Sequence, residues 1–315
     1  ALTCLTTLPM AFVLHDTIAT HLGTSLVANS VSEGFDTGWW EEFRFATEGG
    51  IVETFGPEVI GFAAPLSNLS RFVDADFPRG AIASAVVFYL AAWAFLLGGI
   101  LDRLARQRQI SSAGFFAACG VYFWRFTRLA LLIIGMYWVL FTIIHPLLFQ
   151  NLYSALTLDS TVERDAVIVQ FSLYVIFGIL LVAVTLVFDY AKIRAVVEDR
   201  HSMLGAVFAS ARFVRRRLVA TVQLYLLNAL AFLMIIFLYS LVAPGANTSG
   251  IIVWLGFAIS QVYIAARLFV KLTLYASQTS YFQSELAHAT YIARPQAQWP
   301  SSPMVEAIAS PPNKS

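Results

Sequence analysis

The stretch Leu218–Ala243, LVATVQLYLLNALAFLMIIFLYSLVA, contains no charged residue and is typical of a transmembrane helix. A bilayer core about 30 Å thick is crossed by about 20 apolar residues in an α-helix, because a helix satisfies its own backbone hydrogen bonds in lipid. Ile251–Ala276 has the same character except for Arg267 and Lys271 near its end. Three more uncharged stretches complete the set of full-length spans: Ala81–Leu101, Leu129–Phe149 and Ala166–Phe188.

The composition of the whole chain agrees with a membrane protein. Of its 315 residues, 58% are hydrophobic and only 12% are charged, and the mean hydropathy is +0.72. Soluble domains carry roughly 25% charged residues, so this chain has too little polar surface to cover a globule in water. The net charge of +1 provides no general field for nucleic acid. The sequence therefore predicts an all-α, polytopic transmembrane helical bundle with no nucleic-acid partner.

Composition divides the chain into four parts. Residues 1–14 are apolar but too short to cross a bilayer. They are interpreted as a truncated first transmembrane helix, which brings the total to about six spans. Residues 15–80 are predicted to form an extracytoplasmic amphipathic segment with helical parts, and residues 81–276 form the membrane domain. Residues 277–315 are interpreted as a cytoplasmic tail that is polar and rich in proline.

The charged residues of the connecting segments predict the topology. Residues 102–128 hold five arginines and one acid, and residues 189–217 hold seven basic residues and three acids. By contrast, residues 15–80 hold ten acids and three arginines. Because lysine and arginine mark the cytoplasmic side of a bacterial inner membrane, the basic loops are expected inside. Both termini are then cytoplasmic.

An internal repeat relates two of the basic segments. A shift of 91 residues aligns the pattern S-x-x-G-x-x-x-A-(C/S)-x-x-(Y/F)-x-x-R in both, and each copy leads into a span. The repeat covers about 102–149 and 193–243, and it predicts two cytoplasmic interfacial helices, at 111–128 and 202–217. The matched positions are Ser111, Gly114, Ala118, Cys119, Tyr122 and Arg125 in the first copy, and Ser202, Gly205, Ala209, Ser210, Phe213 and Arg216 in the second.

A family resemblance rests on Phe188–Arg217, FDYAKIRAVVEDRHSMLGAVFASARFVRRR. This stretch resembles a motif of uncharacterised bacterial multi-pass membrane proteins, with a repeated unit of span, basic interfacial helix and span. It is distantly similar to the membrane domain of glycerophosphodiester phosphodiesterases, in which a basic helix beginning Ser-x-x-Gly joins span pairs. The resemblance covers roughly residues 81–290 and implies a membrane scaffold or lipid-facing module. It brings no catalytic residue.

The sequence contains no recognisable catalytic or nucleotide-binding motif, and its five histidines are not spaced as paired metal ligands. No enzyme activity, metal site or cofactor is predicted. His145, which lies inside a span and precedes Pro146, is the one residue that offers a cofactor alternative. Its imidazole could ligate a heme or a chlorophyll-type pigment, or it could bond a carbonyl freed by the proline.

Two groups of cations are candidate binding residues for lipid or another anion. Arg267 and Lys271 share one face of the last span, where they either snorkel to the headgroups or form an anion site completed by Asp189 or Tyr275. The other group lies in the second repeat copy and could hold an anionic lipid. It consists of Arg212, Arg215, Arg216 and Arg217.

These observations predict a non-catalytic integral membrane subunit that binds membrane lipids and other membrane protein subunits. An accessory role in a respiratory or photosynthetic complex is one form of this hypothesis. The alternative is a transporter or lipid-handling protein, which a cavity lined by Gln170, Asn228 and Arg267 would favour. A further alternative is a heme- or pigment-binding subunit that uses His145.

Overall fold

The chain is an all-α, multi-pass membrane protein. In the computed structural model, five helices are long and apolar enough to cross a membrane, and the described residues contain no strand. The five helices correspond to the five uncharged or nearly uncharged stretches of the sequence, so the predicted fold class is confirmed. The structure describes residues 2–23, 25–33, 36–47, 69–76, 80–107, 111–158, 162–243 and 250–288.

The helices are numbered along the chain. Those given before the spans are α1 (Leu2–Leu22), α2 (Val27–Glu33) and α3 (Thr37–Ala46), and a short unnumbered helical segment lies at residues 69–73. The membrane domain contains α4 (Gly80–Arg106), α5 (Ser112–Val139), α6 (Tyr153–Thr157), α7 (Glu163–Val197), α8 (Met203–Arg216), α9 (Leu218–Val242) and α10 (Ile251–His288). Within this domain α4 packs mainly on α5, α7 on α8, and α9 on α10.

Helix α5 continues into α6 through two π-helical segments, Leu140–Ile144 and Leu147–Leu152. Pro146 lies between them and has no N–H to donate, and its ring would clash with a carbonyl one turn earlier in a regular α-helix. Wider π turns relieve that clash without ending the helix. The interfacial helix predicted at 111–128 is therefore the first part of one continuous helix, whereas its counterpart α8 is separate and ends before Arg217.

The largest core lies at one end of the bundle, called here the basic end, where the end of α4, the start of α5, the α7–α8 turn and helix α8 meet. Tyr190 and Ile193 of α7 are fully buried there, beside Phe282 of α10. Leu101 of α4 and Leu129 of α5 belong to the same core. All five spanning helices contribute to one packed unit at this end, α9 through the partly buried Val222 and Tyr225.

Close contact between α4 and α5 depends on glycine. A Cβ atom on Gly99 would lie 2.7 Å from the Cys119 Sγ atom and from the Phe115 ring. At Gly98 it would lie 3.0 Å from the Tyr122 Cβ atom. Small residues let helix backbones approach within a membrane, and these two glycines provide the space for the buried side chains of Cys119 and Tyr122.

Away from the basic end the spans have broad apolar surfaces. The buried share of each span's most apolar stretch ranges from 28% in α7 to none in α10. A second, smaller core nevertheless joins α5 to α7 towards the opposite end, through Leu140, Leu148, Leu173 and Phe177. The exposed apolar surfaces are suited to contact with lipid or with another membrane protein.

Two predicted boundaries differ from the observed helices. The first helix does not end at residue 14 but continues to Leu22, and it is not among the five helices that qualify as spans. Asp16 and two histidines in its last turns make it more polar than the first residues suggested. The last helix does not end at Ala276: Gln278, Thr279 and Phe282 are buried in the basic-end core. The polar residues 277–288 are therefore helix rather than tail, and 289–315 lie outside the described residues.

Helix α3 lies in the segment predicted to be extracytoplasmic. The Asp36 carboxylate caps it by accepting a hydrogen bond from the backbone N–H of Trp39. This bond to the charged form lowers the pKa of the Asp36 carboxyl. Trp40 and Phe43 are the buried side chains of the helix, and Phe43 contacts His21 of α1, with ring centroids 5.1 Å apart.

Candidate functional site

A groove between the end of α7 and helix α8 brings four arginines together. It has a volume of about 450 Å³ and opens at the surface of the basic end. The arginine groove, as we name it, is lined by Arg194, Arg200, Gly205, Phe208, Ala209, Arg212, Phe213 and Arg216.

The local sequence explains how the groove forms. Asp199, with φ of +50°, reverses the chain after α7, and the Ser202 hydroxyl caps α8 by accepting from the backbone N–H of Gly205. One face of α8 is buried against α7 through Met203, Ala206, Ser210 and Val214. Arg212 and Arg216 are one helical turn apart and lie away from that face, so their side chains border the groove.

The groove carries more positive than negative charge. No acid lines it among the described residues, and the Glu198 carboxylate pairs with two of its arginines, with Arg194 at 3.3 Å and also with Arg200. Neither Arg212 nor Arg216 forms an ion pair with any carboxylate in the described part of the chain. Guanidinium groups bind phosphate and carboxylate oxygens in pairs of hydrogen bonds. The arrangement is therefore suited to an anionic group that supplies the missing negative charge.

Two of the four arginines predicted in this region line the groove, and two do not. Arg215 is exposed elsewhere on α8, and Arg217 pairs with Glu285 of α10 at 2.9 Å. Arg194 and Arg200 were missed because they precede the chain reversal and become neighbours of α8 only on folding. The shift of 91 residues that aligns the two repeat copies also places Arg194 on Arg103, which was a signal for the first of them.

A buried arginine stands beside the same turn. Arg125 of α5 is only 8% exposed, and its guanidinium donates to the Asp199 carboxylate. The same group lies 3.5 Å from the Nε2 atom of His201. The ion pair with Asp199 joins α5 to the turn that precedes α8, and it neutralises the charge of Arg125 within the protein.

Arg267 and Lys271 meet at a cavity of about 250 Å³ between α9 and α10. Tyr225 and Asn228 line it from α9, so the predicted pairing of Asn228 with Arg267 is present. Gln170 is not part of it. Asp189 and Tyr275 do not line it either, and the Asp189 carboxylate is bonded to Lys192 at 2.7 Å.

His145 lies in the π-helical region among aromatic side chains. Its ring centroid is 4.6 Å from that of Phe149 and 5.4 Å from that of Phe177. Phe141 is also near, at 6.3 Å. None of the cavities described for this protein borders His145. Among the described residues, no group of three His, Cys, Asp or Glu side chains could hold a metal ion.

Comparison with known proteins gives no relative. No protein-family model matches the chain, and no curated protein or solved structure matches it. The resemblance to the membrane domain of glycerophosphodiester phosphodiesterases therefore stays a prediction.

Proposed function

We propose that this chain is a non-catalytic integral membrane protein that binds the phosphate of an anionic lipid in the arginine groove. The observation that carries the proposal is the pair Arg212 and Arg216, which face the groove with no carboxylate partner in the described residues. Each arginine near a membrane surface contributes about 1 kcal/mol to the binding of anionic lipid, and a direct charged hydrogen bond contributes about 1.5–3 kcal/mol.

The surroundings of the groove favour a lipid over a phosphate free in water. Phe208 lines the groove and is 73% exposed, and the neighbouring Leu204 is 58% exposed. Helix α8 thus exposes apolar side chains beside its basic ones, and it leads into α9 one residue after its last turn. Apolar side chains beside a basic helix face insert at the boundary between headgroups and acyl chains. A lipid bound here would contact the arginines through its phosphate and Phe208 through its upper chain.

The proposal extends to location and partners. The basic end would face the cytoplasm of a bacterial inner membrane, which the arginine-rich loops support. The exposed apolar faces of α9 and α10 support contact with other membrane subunits, such as those of a larger respiratory or photosynthetic assembly. In this role the chain holds lipid and protein partners together without performing a reaction.

The test is a lipid titration of the purified protein in a neutral detergent, followed by native mass spectrometry. Phosphatidylglycerol should bind at one site more tightly than phosphatidylcholine, and the double variant Arg212→Gln/Arg216→Gln should weaken it about tenfold or more. Arg215→Gln is the matched control for each of the single variants Arg212→Gln and Arg216→Gln, because all three remove one charge from the same helix and Arg215 lies outside the groove. Equal losses in the single variants and the control would contradict a defined site.

A second candidate is a transporter or lipid-handling protein. The observation that favours it is the cavity between α9 and α10, where Asn228, Arg267 and Lys271 meet inside two spans. Uptake of a labelled anionic amphiphile into proteoliposomes would test it, with Lys271→Met as the inactive comparison.

The pigment alternative rests on His145 alone, and a visible absorption band in the purified protein that is lost in His145→Ala would support it.

A further inference from the structure

The seam between α9 and α10 holds two cavities in succession, apart from the arginine groove. The first is the cavity described above, where Asn228, Arg267 and Lys271 lie among mostly apolar side chains. The second has a volume of about 390 Å³ and continues along the same two helices towards the opposite end. Its lining is apolar apart from two tyrosine hydroxyls, and it includes Leu238, Val262 and Ala266. Together the cavities give the seam one cationic end and one apolar end.

The cationic end lies inside the span rather than at its edge. Helix α9 begins at Leu218, directly after the arginines of α8. At 1.5 Å per residue, the cavity-lining residues Tyr225 and Phe232 lie about 10 and 21 Å along α9 from that point. The phosphate of an ordinary bilayer lipid stays at the membrane surface. An anion that meets Arg267 and Lys271 would therefore have to enter the span along the seam.

The charges of Arg267 and Lys271 are not neutralised by an ion pair among the described residues. Neither forms an ion pair with a carboxylate in the part of the chain that the structure describes, and the nearby Asp189 is bonded to Lys192. The Lys271 Nζ atom lies 4.0 Å from the centroid of the Trp93 ring, a cation–π contact that fixes the ammonium group beside the cavity. Charged groups within a span are costly unless they are paired or reach water, so such residues mark functional sites.

We propose that this seam binds an amphiphile with one acyl chain and a compact anionic head. The head lies between Arg267 and Lys271, and the chain follows the apolar cavity past Ala266. A carboxylate or a terminal phosphate supplies the required charge, so a fatty acid and a lysophospholipid share the relevant chemistry. A neutral amphiphile of the same chain length would leave both cations without an anionic partner.

The test is a titration with oleate and with lysophosphatidic acid, read by native mass spectrometry. Oleyl alcohol is the uncharged probe of equal chain length. All titrations use protein that carries Arg212→Gln/Arg216→Gln, which weakens lipid binding in the arginine groove. The result for the seam is then independent of the result for the groove. We expect one molecule of at least one anionic probe to bind, about tenfold more tightly than oleyl alcohol. Oleate alone identifies a carboxylate ligand, and lysophosphatidic acid alone identifies a phosphate ligand.

Matched variants locate the site along the seam. Lys271→Met should remove the preference for anions, whereas Arg103→Met on the exposed surface of α4 should not, and Lys271→Arg should retain it. Ala266→Phe should block the apolar cavity, whereas Ala265→Phe, which adds the same bulk to an exposed neighbouring position, should not. Thermal unfolding of each variant shows whether it is folded.

Equal binding of oleyl alcohol and both anions would overturn the proposal. Unchanged anion binding by folded Lys271→Met would overturn it as well. If Ala266→Phe unfolds, the pair Lys271→Met and Lys271→Arg still decides the outcome, because neither substitution adds bulk to the seam.

Discussion

The two Ser-capped helices α5 and α8 begin in the same way, but the arginine at the matching position has a different environment in each. Ser111 caps α5 through the backbone N–H of Gly114, and Ser202 caps α8 through that of Gly205. Fourteen positions after each serine is an arginine. In the first segment Arg125 is buried and bonded to Asp199. In the second, Arg216 is exposed and borders the arginine groove. One sequence pattern thus provides a structural contact in one place and an open cationic site in the other.

The comparison teaches that charge alone does not identify a site. The segment 102–128 contains five arginines, yet Arg106 and Arg125 are both engaged by acids, the former with Asp102 at 2.7 Å. Arg103 and Arg128 of that segment form no ion pair among the described residues either, so the second segment differs in that its unpaired Arg212 and Arg216 line a common groove. A ligand gains most where the protein has left charge unpaired, because no internal ion pair has to be broken first.

The largest expected effect is the loss of stability in Arg125→Met, measured against the matching variant Arg216→Met. Arg125→Met should lower the stability by about 2 kcal/mol, since it removes a charged hydrogen bond from a mostly buried position. Arg216→Met should leave the stability nearly unchanged, because surface charges without partners contribute little. Thermal unfolding in detergent measures both. If the midpoint falls equally in the two variants, the distinction between a structural and a free arginine is wrong.

A second experiment makes the groove more positive. Glu198→Gln removes the carboxylate that pairs with Arg194 and Arg200, so an incoming phosphate no longer competes with it. The affinity for phosphatidylglycerol should rise by up to about tenfold, which corresponds to about 1.4 kcal/mol. Lipid titration of this variant measures the change, and Glu163→Gln, at the far end of α7, is the control. A fall in affinity would mean that Glu198 positions the arginines for the ligand.

The smallest effect concerns the feature that the two segments share. Ser111→Ala and Ser202→Ala should each cost about 1 kcal/mol, because each leaves the first turn of a helix without its cap. Ser112→Ala, beside the first cap and inside α5, is the control and should cost little. The thermal unfolding midpoints should fall by similar amounts for the two caps. Strongly unequal shifts would indicate that the common pattern has different local structures in the two places.

The sequence predicted those parts of the structure that depend on local composition. The five spans follow from uncharged stretches such as Leu218–Ala243, because lipid imposes the same requirement on every residue of a span. The helix starts at Ser111 and Ser202 were predictable for a similar reason, since a cap involves residues three apart. The orientation of the spans and the repeat itself stay predictions.

What the sequence did not reveal depends on tertiary contacts. Hydropathy ended the last span at Ala276, but Gln278 and Thr279 are buried because α4 and α7 surround them at the basic end. Arg194 and Arg200 join the groove through the reversal at Asp199, which no local pattern announces. Arg217 does not line the groove as Arg212 and Arg216 do, and it pairs instead with Glu285 of α10, which is distant in the chain.

The length of α10 has a mechanical consequence. Its 38 residues form a rod about 57 Å long, nearly twice the thickness of the hydrocarbon layer. Lys271 lies on this rod at the seam with α9, and Glu285 lies on it where it touches Arg217, the neighbour of Arg216. A rod of this kind acts as a lever: any tilt at the seam displaces its far end. If an occupant of the seam tilts this helix, that occupant and a lipid in the groove must change each other's affinity by the same factor.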